Sequence, residues 1–189
     1  MLRSYVILIV LVQLLSACAG TRMAPLEIRP QQAELVPFAF NGRVATLHDG
    51  ERTSAGVRWT HRGVEDEILL LAPFGQTVAR IHGDTQGVTL EASGKYYTAK
   101  DAESLTEEVL GWHLPMSGMR YWVLALPAAG SQAEIEHDAL GQVSVLRQDG
   151  WEIRYLRYAS EAPDSLPLRL ALQRDGMEIK LFIDEWETQ

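Results

Sequence analysis

The sequence predicts a mainly β fold with helices: an unclosed antiparallel β-barrel of about 11 strands, with helices covering its opening. Three observations predict it. Eleven short segments alternate apolar and polar residues at strand period. Turn signals, mostly glycine-containing, separate them at close spacing. Two helical segments interrupt the series midway, between residues 101 and 127. Short strands with tight turns make an antiparallel meander, and helices inserted mid-sheet suit one face of a strongly curved sheet. A closed barrel holding an apolar ligand in its lumen is the neighbouring solution.

The chain opens with Met1-Leu2-Arg3-Ser4-Tyr5 and continues, from Tyr5 to Leu15, as an apolar run broken only by Gln13. A basic start, a short apolar core and small residues before a cut site describe a signal peptide over residues 1–17. The run falls short of the roughly 18 apolar residues that mark a spanning helix. Leu15-Ser16-Ala17-Cys18 resembles the lipobox of bacterial lipoproteins, and Cys18 is the only cysteine in the chain. That resemblance implies cleavage before Cys18, a diacylglycerol thioether on its sulfur and an acyl group on the freed amine. Three acyl chains exceed the two signals that stable anchoring takes. Residue 19 is alanine, not the aspartate that commonly retains envelope lipoproteins in the inner membrane, which fits the outer membrane.

Residues 18–37 read as the lipidated N-terminus and a tether. Pro25, Pro30 and Pro37 interrupt them, and Gln31 to Leu35 admits a short helix. A single domain is expected over residues 38–189. Its first strands follow from parity: Phe38, Phe40, Gly42 and Val44 share one face, as do Ala55, Val57 and Trp59. Glu67 to Ala72 closes at Pro73-Phe74-Gly75; Thr77 to His82, Gly87 to Ala92 and Lys95 to Thr98 follow. Asp101 can cap a helix through Ala102 to Leu110, with Leu105 and Val109 on one face and Gly111 as its stop. A second helix is predicted from Ser117 to Leu126, ending at Pro127, with Met119, Trp122, Val123 and Leu126 as its apolar stripe. Strands return at Ala133 to His137, Val143 to Arg147, Trp151 to Tyr158, Leu168 to Gln173 and Met177 to Asp184. Asp149-Gly150 and Asp175-Gly176 are hairpin signals.

Removing 17 residues from 189 leaves 172, enough for one core. Without Arg3 there are 16 Lys+Arg against 25 Asp+Glu, a side-chain charge near −9. No Lys/Arg cluster forms a patch, which argues against nucleic acid as a partner and against a polybasic membrane face. His48, His61, His82, His113 and His137 make no close metal-ligand pair and read as polar surface. There is no HExxH, no G-x-S-x-G and no P-loop. The acidic runs Glu65-Asp66-Glu67, Glu107-Glu108 and Asp184-Glu185 read as solvated faces. No catalytic residue, metal or cofactor is expected.

Several stretches then occur in a telling order: Phe38-Ala39-Phe40-Asn41-Gly42-Arg43, Gly56-Val57-Arg58-Trp59, Leu71-Ala72-Pro73-Phe74-Gly75-Gln76-Thr77 and Tyr97-Thr98-Ala99-Lys100-Asp101-Ala102-Glu103. Leu114-Pro115, Arg120-Tyr121-Trp122-Val123-Leu124-Ala125-Leu126-Pro127, Gln148-Asp149-Gly150-Trp151 and Leu166-Pro167 continue it. The chain ends on Ile179-Lys180-Leu181-Phe182-Ile183-Asp184-Glu185-Trp186. With the lipobox, this resembles the outer-membrane receptor of the lipoprotein localisation (Lol) pathway, the LolB family, over nearly the whole mature chain. The resemblance implies an unclosed 11-stranded antiparallel barrel with helices over its opening, like the periplasmic carrier of the same pathway. That carrier normally lacks a lipid anchor, so Cys18 favours the receptor. The implied function is to accept acylated lipoproteins from a LolA-like carrier, shelter their acyl chains in an apolar cavity and insert them into the outer membrane. The implied partners are that carrier, acylated outer-membrane lipoproteins and outer-membrane phospholipid. The folded domain, expected to be a monomer, would face the periplasm of a Gram-negative bacterium.

The candidate site residues fall into four sets. Cys18 is the lipid attachment point. Pro73, Phe74 and Gly75 form a turn; in the family the position of Phe74 is usually leucine, on a protruding loop important for membrane insertion. The alternative is that Phe74 folds into the core. Candidate cavity-lining residues are Phe40, Val57, Trp59, Leu70 and Ile81 from the first strands, Met119 and Trp122 from the second helix, and Ile153 and Leu181 from the last strands. The same side chains serve a filled core equally well, and parity does not choose. Arg43 and Arg120 are candidates for a polar rim, with solvent-facing roles as the alternative; Trp151 and Trp186 read as structural. A structural lipoprotein that binds an envelope complex without a lipid cavity, and a lipid-anchored hydrolase, are the competing functions.

Overall fold

A computed structural model describes residues 37–110 and 114–187. The predicted signal peptide, Cys18, the tether up to residue 36, the helix at Gln31 to Leu35 and the stop at Gly111 lie outside the described residues. The strands are β1 (Phe38–His48), β2 (Glu51–Arg62), β3 (Glu65–Leu71), β4 (Thr77–Gly83), β5 (Val88–Ala92) and β6 (Lys95–Ala99). Helices α1 (Ala102–Leu110) and α2 (Met116–Trp122) follow. The chain then returns to strands β7 (Ala133–His137), β8 (Val143–Gln148), β9 (Trp151–Tyr158), β10 (Pro167–Arg174) and β11 (Met177–Glu187).

All 11 strands form one antiparallel sheet in the order β6-β5-β4-β3-β2-β1-β11-β10-β9-β8-β7. β6 and β7 are its edges, so the sheet is open. Two meanders, each made of sequence neighbours, are joined where β1 pairs with β11. Four two-residue hairpins, Asp49-Gly50, Ser93-Gly94, Asp149-Gly150 and Asp175-Gly176, carry positive φ at both positions, the geometry that matches the twist of the flanking strands. The hairpins expected at Asp149-Gly150 and Asp175-Gly176 are among them.

The β1–β11 junction is packed by aromatic rings. Phe40 lies 5.2 Å from Trp186 and 5.9 Å from Trp59, and Phe38 lies 5.5 Å from Trp59, centroid to centroid, with the rings edge-on. Such pairs add about 0.5–1.5 kcal/mol each beyond their burial. Trp186 also donates from Nε1 to the Pro167 carbonyl at 2.8 Å, tying β11 to the start of β10. Trp151 and Trp186 are both buried. The register of β1 on β11 shifts between Asn41 and Gly42, a β-bulge. A Cβ on Gly42 would stand 2.1 Å from the Phe182 carbonyl oxygen, so only glycine lets the strands approach there.

α1 begins as expected: Asp101 Oδ1 accepts from the Ser104 amide at 2.8 Å, an N-cap bond. α2 is shorter than the predicted Ser117 to Leu126. It ends at Trp122 because Leu126 N–H donates to the Tyr121 carbonyl and Ala125 N–H to the Trp122 carbonyl. With Ala125 at φ 55°, this is a Schellman stop. The apolar stripe continues past it, but as a turn that buries Val123, Leu124 and Ala125.

Substituting Gly42→Ala is expected to destabilise the fold by about 3 kcal/mol, the upper part of the overpacking range, because the obstacle is backbone. A chemical denaturation midpoint unchanged from the parent would show that the bulge can open without cost.

Candidate functional site

The inward face of the sheet and the two helices enclose one apolar cluster. Phe40, Val57, Trp59, Ile81, Met119, Trp122, Ile153 and Leu181 are all buried in it, and half-buried Leu70 packs against it. The structure thus brings all nine predicted lining residues to one place. They converge because strand parity directs them inward across neighbouring strands, with Phe40 opposite Trp59, Trp59 opposite Ile68, and Ile68 opposite Ile81. α2 supplies the opposing wall through Met116, Met119 and Trp122.

Trp122 is held on one side of the sheet. Its Nε1 donates to Gln148 Oε1 at 2.9 Å, and its carbonyl accepts from Tyr155 Oη at 2.8 Å. Gln148 also bonds the Ala128 amide and carbonyl, so one buried amide fixes both α2 and the chain leaving it. Glu103 on α1 accepts from the Ser117 amide at 3.0 Å and hydroxyl at 2.6 Å. Thr106 Oγ1 accepts from the Leu114 amide at 2.9 Å. The two helices are therefore joined as a corner.

The other side of α2 reaches a buried carboxylate. Asp66 is 3% exposed. Its Oδ1 accepts from Trp59 Nε1 at 2.8 Å and lies 2.9 Å from His61 Nδ1, and its Oδ2 accepts from Arg120 at 2.6 Å. Glu65-Asp66-Glu67 is therefore not a uniformly solvated run, and His61 is a buried residue, not a surface one. The signal was present in the strand period: Asp66 shares parity with Ile68 and Leu70, so it points inward, where an ionised group needs partners. The expected role of Arg120 at a polar rim becomes a specific ion pair with its side chain 33% exposed.

Arg43 sits elsewhere. Its side chain is 68% exposed and pairs with Asp184 at 3.1 Å, and it lies over the Phe182 ring with Arg169 on the ring as well. Phe182 alternates with inward Leu181 and Ile183, which places Arg43 on the outer face of the sheet. That face is charged elsewhere too: Arg80 pairs with Glu67. Glu152 is held below the usual carboxylate range by hydrogen bonds from Arg154 and Arg147.

Phe74 occupies the loop between β3 and β4. The Gly75 amide donates to the Ala72 carbonyl and the Ala72 amide to the Gln76 carbonyl, and Gly75 takes φ 82°. This closed turn pushes Phe74 outward until it is 89% exposed, the highest value among the exposed large apolar side chains of the described residues. Among the described residues no helix is long and apolar enough to cross a membrane.

The family model described as "Outer membrane lipoprotein LolB" matches residues 36–186. The outer-membrane lipoprotein LolB of Nitrosomonas europaea is 40% identical over 199 aligned positions, covering 99% of this chain and 93% of its own. That of Chromobacterium violaceum is 36% identical over 182 residues, covering 96% and 98%. Among solved structures, a LolA superfamily protein from Nitrosomonas europaea shares the fold, with a TM-score of 0.50 at 8% identity over 86% of this chain and 89% of that one.

The wall formed by α2 depends on a glycine. A Cβ on Gly118 would lie 2.5 Å from the Trp122 indole. Alanine is the better helix former by about 1 kcal/mol, yet Gly118→Ala must push the indole off Gln148. We expect a net loss of about 1–2 kcal/mol together with a changed near-ultraviolet tryptophan signal. A gain in stability with an unchanged signal would refute this packing.

Proposed function

Because the chain belongs to the outer membrane lipoprotein LolB family, we propose that it receives acylated lipoproteins from a LolA-like periplasmic carrier and inserts them into the outer membrane. The observation that carries the proposal is the pairing of an enclosed apolar face under helices with a separate, fully presented phenylalanine on a short loop. One feature suits acyl chains and the other suits a bilayer.

The protein is an outer-membrane lipoprotein, in our reading held by lipid on Cys18 with residues 18–37 as tether and residues 38–189 as one lipoprotein-binding domain facing the periplasm. An acyl chain in water is unfavourable by about 0.8 kcal/mol for each exposed CH₂. Transfer between two proteins therefore needs a second apolar surface offering equal or better burial. Phe40, Val57, Trp59, Leu70, Ile81, Met119, Trp122, Ile153 and Leu181 are the side chains against which an incoming chain would pack, after the helices give way. Methionines on α2 suit this, since their unbranched side chains adapt to irregular neighbours. No bond is made or broken, and the step runs downhill without nucleotide.

Phe74 is then the contact with the outer-membrane phospholipid. Its ring, held clear of the fold by the Pro73-Phe74-Gly75 turn, can enter the interfacial region where aromatic side chains are favoured. Leucine at the same place would serve by burial alone; phenylalanine adds a rigid, wider wedge.

The test mixes cargo-loaded carrier with this protein and follows transfer, then insertion into liposomes. Phe74→Glu is expected to keep the parent's stability within about 0.5 kcal/mol, as an exposed site should, and to keep cargo transfer while losing insertion. Phe74→Leu is expected to insert. Insertion by Phe74→Glu would remove the loop from the mechanism, and absence of transfer by the folded parent would favour a structural lipoprotein instead. Separately, mass spectrometry of the membrane-extracted protein is expected to find the mature chain beginning at Cys18 with its acyl groups. An unmodified Cys18 thiol would overturn the anchor.

A further inference from the structure

α2 is attached to the two halves of the sheet in different ways. Toward β8 and β9 it is held by neutral, buried bonds: Trp122 to Gln148 and Tyr155 to the Trp122 carbonyl. Toward β3 it is held by a charged pair, Arg120 to Asp66, and it is also joined to α1 by the Glu103–Ser117 hydrogen bonds. Asp66 is fully enclosed, but the Arg120 side chain is one-third exposed. The Arg120 Nε is buried without a hydrogen-bond partner among the described residues.

We propose that the Asp66–Arg120 pair is a catch. It holds α2 against the N-terminal half of the sheet, and acyl chains pass through the seam that it closes, with α2 turning on its Trp122 attachment. This rests on the acceptor reading above.

Three features favour a catch over a simple structural pair. First, release does not strand the carboxylate. An ionised group left alone in a protein interior is strongly destabilising, but Asp66 keeps Trp59 and His61 within hydrogen-bond reach when Arg120 leaves. The freed guanidinium starts partly in solvent and can complete its hydration. Second, the attachment on the other side is of a kind that persists: two hydrogen bonds between buried neutral groups, one to main chain. Third, the seam leads to the right surface. Trp59, the donor to Asp66, has its ring in the cluster with Phe38 and Phe40, and Met119 neighbours Arg120 in sequence and is buried in the same cluster. Parting Arg120 from Asp66 uncovers apolar surface directly.

A closed state that this pair helps to hold limits the rate at which cargo is taken up, because the competent population is small. Weakening the pair should raise that rate, whereas damage to a structural contact should leave it unchanged or lower it.

The experiment uses the full lipidated protein in vesicles and a carrier loaded with a lipoprotein bearing a fluorescent acyl chain. Handover is timed for the parent, Arg120→Gln, Arg120→Lys and the double variant Asp66→Asn with Arg120→Gln. The double variant removes both charges and so remains folded should the single substitution unfold the chain, which thermal melting checks. The expected result is handover faster by roughly fivefold or more in Arg120→Gln and in the double variant, within the usual range for a coupled two-state element. Arg120→Lys should restore a rate near the parent's. A folded double variant no faster than the parent overturns the catch while leaving the acceptor reading intact. Failure of the parent to accept cargo overturns both.

Discussion

The pairing of the first strand with the last makes this molecule one sheet, and most of the architecture follows from it. β6 and β7 are neighbours in the sequence but occupy opposite edges once β1 and β11 have paired. The chain between them has to cross from one edge to the other over a face of the sheet. It carries α1 and α2, whose apolar side chains Leu105, Met116, Met119 and Trp122 are buried in the apolar cluster and so place them over the inward face. The aromatic rings of Phe38, Phe40, Trp59 and Trp186 hold the junction, and the bulge at Gly42 bends it.

A strongly apolar concave surface cannot be left open to water. At about 25 cal/mol per Å² of apolar area, even a modest uncovered patch would cancel much of a domain's net stability. The crossing helices meet that need with Met116, Met119 and Trp122. If the domain takes up acyl chains as proposed, they would occupy the place of these helices, so guest and helix would compete for one surface. In the proposed acceptor role the domain would be closed when empty, and uptake would be an exchange of one apolar partner for another. The binding energy available to cargo is the difference between the two burials.

The strand count, the start of α1 and the hairpin turns were legible because they depend on local signals: parity, an aspartate cap and Asp-Gly pairs. The length of α2 was not. Its stripe Met119, Trp122, Val123 and Leu126 has helical spacing throughout, but a Schellman stop at a non-glycine residue, Ala125, leaves no mark in composition. The sequence also placed all nine lining side chains on inward positions without saying whether they would be packed together. Asp66 and His61 were misread because an acidic triplet and a lone histidine are usually solvated. Partners brought in by the fold make the burial tolerable: Trp59 on the neighbouring strand and Arg120, 54 residues from Asp66. Arg43 shows the opposite limit: its charge in an apolar region suggested a rim, yet strand parity settles it on the outer face.

Strand register also relates the start of the folded domain to the Phe74 loop. β3 runs parallel to β1, and Leu71 stands level with Arg43 through Gly56. The Phe74 loop therefore projects toward the end of the sheet opposite to that where β1 begins. The strand run from Phe38 to Arg43 is about 17 Å at 3.3–3.4 Å per residue, and the loop extends beyond it. A chain from Cys18 to Phe38 can span at most about 66–72 Å, several times that distance. The proposed anchor at one end of the domain and the proposed membrane contact of the Phe74 loop at the other are thus compatible with a single bilayer. In the proposed role the lipid on Cys18 sets the address, and the reach of the preceding chain is long enough for the same domain to meet a carrier or the membrane.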